Sequence, residues 1–282
     1  MRRHHDDEVH ELEIHEHDRG LSYDLPVLAR RRMIRLMAGV GAGLVPLVGC
    51  TADDTSSPSA SAAGSAGSAS SAECVTVPEE TAGPYPGDGS NGVNVLKESG
   101  VVRADITRSF GDSAGGTAEG VPLTLTLTVV GTASGCGTPK RGAAVYVWHC
   151  DREGGYSLYT EGVTDENYLR GVQETDDRGR VTFTSVFPGC YTGRWPHIHF
   201  EVYGSLADAT TATAITSTSQ LALPKDVCDT VYATEGYESS VDNLGRLSLE
   251  SDSVFRDGHD QQLAAVKGSV AQGYTATLTI AV

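Results

Sequence analysis

Positive charge is scarce in this 282-residue sequence: Lys and Arg total 21 against 37 Asp and Glu, a formal net charge of −16. Nucleic-acid binders gain affinity by neutralising phosphates, so this balance disfavours nucleic acid as a partner, and none is expected. Most of the carboxylates are read as a solvated acidic surface. Helical periodicity is also scarce and no internal repeat is evident, which sets aside helical bundles and solenoids. No two cysteines show CxxC spacing, which argues against a zinc knuckle. The apolar stretch from Leu36 to Gly49 is too short for a comfortable membrane-spanning helix.

That stretch follows Arg30-Arg31-Arg32-Met33-Ile34-Arg35, a twin-arginine pattern, and is read as a signal for export of a folded protein. It closes on Leu47-Val48-Gly49-Cys50, which is similar to a lipobox. Acylation of Cys50 would make it the mature N-terminus and the one tie to the membrane; ordinary signal cleavage nearby is the alternative. The expected location is extracytoplasmic, lipid-anchored at Cys50. Met1 to Ala29 carries five of the nine histidines, precedes the cleavage point, and is set aside as removed or as a misassigned start. Thr51 to Ala72 is almost entirely Ser, Ala, Gly, Asp and Thr, with too few apolar side chains to offset the entropy of ordering, and reads as a flexible tether. The expected organisation is a signal at 1–50, a linker at 51–73 and one folded domain at 74–282.

Seven basic and eight acidic side chains precede Cys50, leaving 14 against 29 in the mature part. Five cysteines also remain there: Cys74, Cys136, Cys150, Cys190 and Cys228. Disulfides are permitted outside the cytoplasm, and an odd count leaves at least one thiol free or paired elsewhere. Short β-rich runs between Gly, Asp and Pro predict strands at Val101 to Ile106, Leu123 to Val130, Ala144 to His149, Arg180 to Ser185, His197 to Tyr203, Thr230 to Ala233 and Tyr274 to Val282. A short helix is expected at Asp260 to Val266. This spacing predicts an all-β fold, a single β-sandwich domain. Ala144 to Cys150 reads as buried on both faces, with Trp148 in the core and His149 as a hydrogen-bonded structural histidine.

Candidate chemistry centres on Pro188 to Tyr203, P-G-C-Y-T-G-R-W-P-H-I-H-F-E-V-Y. On a strand, His197 and His199 point to one face, close enough to share a metal ion. Tyr191 lies six residues before His197, behind a Pro188-Gly189 turn, and Tyr156 offers a second phenol in D-R-E-G-G-Y. Phenolate is a hard anionic donor and selects a hard, highly charged ion, of which Fe(III) is the common biological one. Two phenolates and a hydroxide would cancel its three charges and let the site sit in a low-dielectric core. By themselves, the four residues are equally compatible with packed or surface side chains.

Taken together, Tyr156 in D-R-E-G-G-Y-S, the segment Tyr168-Leu169-Arg170-Gly171-Val172-Gln173-Glu174-Thr175-Asp176 with Gly179, and P-G-C-Y-T-G-R-W-P-H-I-H resemble the intradiol ring-cleaving dioxygenases, nearest the compact protocatechuate-dioxygenase type. Thr81-Ala82-Gly83-Pro84-Tyr85 resembles that family's opening motif, and the likeness covers Val77 to Tyr237. It implies a β-sandwich holding non-haem Fe(III) by Tyr156, Tyr191, His197 and His199. It further implies that Arg194 is the active-site arginine and that Tyr191 is displaced by substrate and takes up a proton. Gln220 matches a glutamine near the substrate, although it follows a longer polar segment, Ser205 to Ser217. The implied partners are a catechol-type substrate and O2, with ring opening between the two hydroxyl-bearing carbons to a cis,cis-muconate-type diacid. Two competing readings are a non-catalytic β-sandwich binding module and a ferric-catecholate-binding lipoprotein.

Overall fold

The computed structural model describes residues 75–113, 115–133 and 137–282; the expected signal and linker, with Cys50, Cys74 and Cys136, lie outside the described residues. Strand β1 (Pro122–Gly131) alternates: Leu123, Leu125, Leu127 and Val129 are buried, while the threonines between them face outward. This period of two is what a sheet with one dry face requires. The short β2 (Thr138–Pro139) pairs with the end of β1. Next come β3 (Ala144–Trp148), β4 (Arg170–Glu174), β5 (Arg180–Val186), β6 (His197–Tyr203) and β7 (Ile215–Ala222). Two helices follow, α1 (Lys225–Tyr232) and α2 (Glu238–Leu244), before β8 (Ala265–Ser269) and β9 (Gly273–Ala281).

Two sheets face each other. One has the order β2-β1-β9-β8, with β5 also on β1; the other has the order β4-β3-β6-β7. β1 and β9 run parallel, and every other strand pair is antiparallel. Leu123, Leu125, Leu127, Phe183, Ala276 and Ile280 from the first sheet meet Val145, Val147, Ile198, Phe200 and Val202 from the second in one core. All five residues of β3 and all seven of β6 are buried, because the second sheet is covered on both sides. Its outer face, with Ala144, Tyr146, Trp148 and Tyr203, packs under Tyr85, Val95, Leu96 and Val101 in a smaller apolar cluster. His197 and His199 share parity with Tyr203 and so lie on this outer face, away from the sandwich core.

The all-β sandwich expectation holds, with differences in three elements. Val101 to Ile106 makes only isolated bridges, Val102 to Val172 and Asp105 to Thr184, because the Asp105 carboxylate accepts from the Thr107 amide and turns the chain. Thr230 to Ala233 finishes helix α1 instead of forming a strand: Cys228, Val231 and Tyr232 make a buried stripe at helical spacing, which overrides the β-branched residues. Asp260 to Val266 is a turn entering β8, with the amides of Gln262 and Leu263 both donating to His259 O. The sequence pattern did not announce β4, β7 or β8. In β7, polar residues are buried: Ser217, Ser219 and Gln220 are all shielded from solvent, and Ser219 and Gln220 bond to the covering segment, so apolar alternation is missing.

Candidate metal centre

β6 delivers both imidazoles. His197 Nδ1 donates to the Trp195 carbonyl, which leaves Nε2 as an unprotonated lone pair. That Nε2 lies 3.0 Å from His199 Nε2, 3.3 Å from Tyr191 Oη and 3.4 Å from Tyr156 Oη. The four donors named from the sequence therefore converge on one point. Atoms bonded to a common ion at about 2 Å lie about 3 Å from one another, so this spacing fits a ligand set. Among the described residues, no group of three or more His, Cys, Asp or Glu side chains is placed to hold a metal ion, so a metal here needs the tyrosines.

Burial sets the protonation states. It holds His197 down at about 3, helped by the Arg194 charge, and pushes His199 well below its usual range, helped by His197. Both imidazoles are neutral at physiological pH, as ligands must be. Burial, then the neighbouring Tyr191, pushes the Tyr156 phenol well above its ordinary value. Without a nearby cation it stays protonated; a trivalent ion in contact reverses that balance. Neutral imidazoles beside phenols that ionise only next to a strong cation are a donor set that fits ferric iron.

The surroundings fix the donors. Trp148 stacks on the His199 ring at 4.8 Å and 7°, and the Tyr85 ring lies 5.0 Å from that of Tyr156. Tyr156 sits in the loop after β3, where the buried Arg170 donates to Ser157 O and to Ser157 Oγ. Gly154, at φ 92°, lies so near Tyr191 that a Cβ would stand 3.1 Å from the Tyr191 Cβ. Gly83, at φ 70°, brings the Thr81 to Tyr85 segment over His199, with space for a Cβ only 3.4 Å from the imidazole Cε1. A side chain at either glycine would also carry the strain of a left-handed backbone.

Arg194 is buried beside this centre. Its Nε donates to Asp252 at 3.1 Å and its NH2 donates to Gln220 Oε1 at 2.6 Å. Gln220 lies opposite His199 in the β6–β7 register and donates to Thr81 O. The structure thus brings Gln220 to the site despite the polar segment before it. His149 is away from the cluster: its nitrogens bond Cys150 O and Ser185 Oγ, the structural role read from the sequence. Cys150, Cys190 and Cys228 are free and buried, and the Cys190 thiol donates to Arg194 O.

A family model described as Dioxygenase matches residues 100–237, a span that holds Tyr156, Tyr191, Arg194, His197, His199 and Gln220. Over this span, just under half of the chain, the sequence is similar to the dioxygenase family. An intradiol ring-cleavage dioxygenase from Tetranychus urticae shares the fold, at TM-score 0.58 and 24% identity over 74% of this chain and 94% of that one. A chlorocatechol 1,2-dioxygenase from Rhodococcus opacus is 36% identical over 55 residues, 20% of this chain. That match spans about a fifth, 21%, of the curated relative's length. Asp252 had no sequence signal, whereas Trp148 was legible as core and Arg170 and Gly83 as motif positions, without the contacts they make around the donors. Asp252 reaches the site from 58 residues beyond Arg194 in a Ser-Asp-Ser turn with no pattern of its own.

Proposed function

We propose that this protein is an extracytoplasmic intradiol dioxygenase that uses non-haem Fe(III) and O2 to open a catechol-type ring between its two hydroxyl-bearing carbons, giving a cis,cis-muconate-type diacid. The observation that carries this reading is the convergence of Tyr156, Tyr191 and His199 on the bare Nε2 of His197. Tyr156, Tyr191, His197 and His199 would hold the iron. Bound there, ferric iron supplies Lewis acidity that draws electron density out of a catecholate ring.

The chain's own residues do the remaining work. Tyr191 is half-buried at the edge of the cluster, and its phenolate takes a proton from the entering catechol. The Arg194 guanidinium, 4% exposed, places a fixed positive charge where negative charge grows on the ring. Gln220 keeps that guanidinium in place through its Oε1. Tyr85 and Gly83 close the outer side over His199 and Tyr156, which excludes water from the reacting face. Export by the twin-arginine signal and acylation at Cys50 complete the proposal. A folded-protein route would carry the domain with its iron already loaded.

Oxygen uptake and ring-opened product from catechol by the iron-loaded domain test the reading. Stoichiometric consumption of one O2 per catechol, with a muconate-type product, is the expected result. Iron and catechol binding without oxygen uptake would mark a ferric-catecholate-binding protein instead.

A further inference from the structure

Asp252 lies in the segment between α2 and β8, outside the matched family span, and is fully buried at 0% exposure. Its two oxygens take four donors. Oδ2 accepts from Arg194 Nε at 3.1 Å and from the Trp195 amide at 2.7 Å, while Oδ1 accepts from the amides of Val254 at 2.8 Å and Phe255 at 3.2 Å. The last two bonds anchor the carboxylate in its own turn, so it is a fixed point against which Arg194 is set. On the other side, Arg194 NH2 meets Gln220 Oε1, and Gln220 is itself held by Thr81 O. The guanidinium is thereby gripped at Nε and at a terminal nitrogen, and its plane is determined by two partners on different elements. A planar fork fixed at two points cannot turn about its last side-chain torsions without breaking a charge-assisted bond.

From this geometry we infer that Asp252 is a positioning residue for the reaction, acting through Arg194 by fixing the orientation of its guanidinium toward the ring-binding side of the site. This rests on the dioxygenase reading for its effect on turnover, while the positioning itself belongs to the metal-free protein. Displacing a charge that must match a transition state costs far more rate than it costs ground-state binding, because small errors in placement matter most there. An ion pair serving stability alone would instead change folding and leave the kinetic coupling to Arg194 at zero.

The test compares Asp252→Asn, Arg194→Gln and the double variant, whose buried pair is neutral on both sides and keeps folding open to measurement if Asp252→Asn alone misfolds. In the metal-free wild type, the Arg194 Nε–H gives a slowly exchanging resonance. In Asp252→Asn that resonance moves or is lost, while the Trp195 indole N–H, bonded to Leu223 O, stays in place as the marker of an intact fold. With iron, kcat for catechol falls about 100-fold in Asp252→Asn and KM changes much less. Asp252→Asn added to Arg194→Gln costs no further activity. An unmoved, still protected Arg194 Nε–H in Asp252→Asn, or equal losses from Asp252→Asn in both backgrounds, overturns the inference. If the wild type neither binds iron nor consumes oxygen, the dioxygenase reading fails, and the resonance still decides whether Asp252 sets Arg194.

Discussion

Tyr156 is 1% exposed, and its burial beside Tyr191 raises the phenol so far that only a strong cation in contact makes it a phenolate. Tyr156→Phe therefore removes an anionic donor while keeping the ring that packs on Tyr85. The expected outcome is a folded protein that loses most of its tyrosinate-to-iron colour and at least about 100-fold of its activity, an effect on the scale of losing one electrostatic partner in an active site. His199→Ala removes the donor facing His197 Nε2 and also the ring stacked on Trp148, so the same loss of colour comes with lower thermal stability. Unchanged colour in both variants would show that the iron sits elsewhere. Gly83→Ala tests the cover over His199: positive φ and the 3.4 Å approach to the imidazole predict a raised KM for catechol with the iron colour retained.

The two faces of β6 separate stability from chemistry. Phe200 and Ile198 point into the sandwich core, whereas His197, His199, Glu201 and Tyr203 point outward. Phe200→Ala should cost about 3–5 kcal/mol, read as a lower unfolding midpoint, with the iron spectrum unchanged below the transition. This strand was legible from its sequence, since period-two alternation of His, Phe and Val with the spacing of the two imidazoles gave both the element and the shared face. The leucine and threonine alternation of β1 was legible for the same reason. The β7 strand was not, because its buried Ser219 and Gln220 are satisfied by Pro78 O and Thr81 O, 141 and 139 residues away in sequence. Helix α1 was hidden by β-branched residues whose buried stripe matters more than their propensity. Four of the site's donors could be named from motif chemistry, but Asp252 could not, since only the tertiary fold brings its turn to Arg194.

Across the whole molecule, buried titratable groups set how stability follows pH in the metal-free protein. Burial lowers His149 to about 4, so between the unfolded value near 6.5 and that point the unfolded chain binds a proton that the folded one refuses. Stability then falls as pH drops from about 6.5 to 4, on the order of 3 kcal/mol for His149 alone, and His197 and His199 act in the same direction. Glu201 has the opposite sign: burial, then Asp88, raises it to about 8, so its contribution is full below the unfolded value and is lost as pH rises through 8. Asp151, raised to about 6 chiefly by burial, opposes the histidines only in part. Unfolding midpoints of the metal-free domain should peak near pH 6.5, and Glu201→Gln should flatten the decline between there and pH 8; a steady rise to pH 9 in the wild type would contradict this assignment. The export proposal is checked by the mass of the mature N-terminus, expected as an acylated Cys50. The central claim, a ferric ion held by two tyrosines and two histidines, is tested most directly by the visible absorption spectrum of the iron-loaded domain before and after catechol is added without oxygen. A broad tyrosinate-to-iron band that shifts on catechol addition is the predicted result. A folded domain that remains colourless with iron supplied would contradict it.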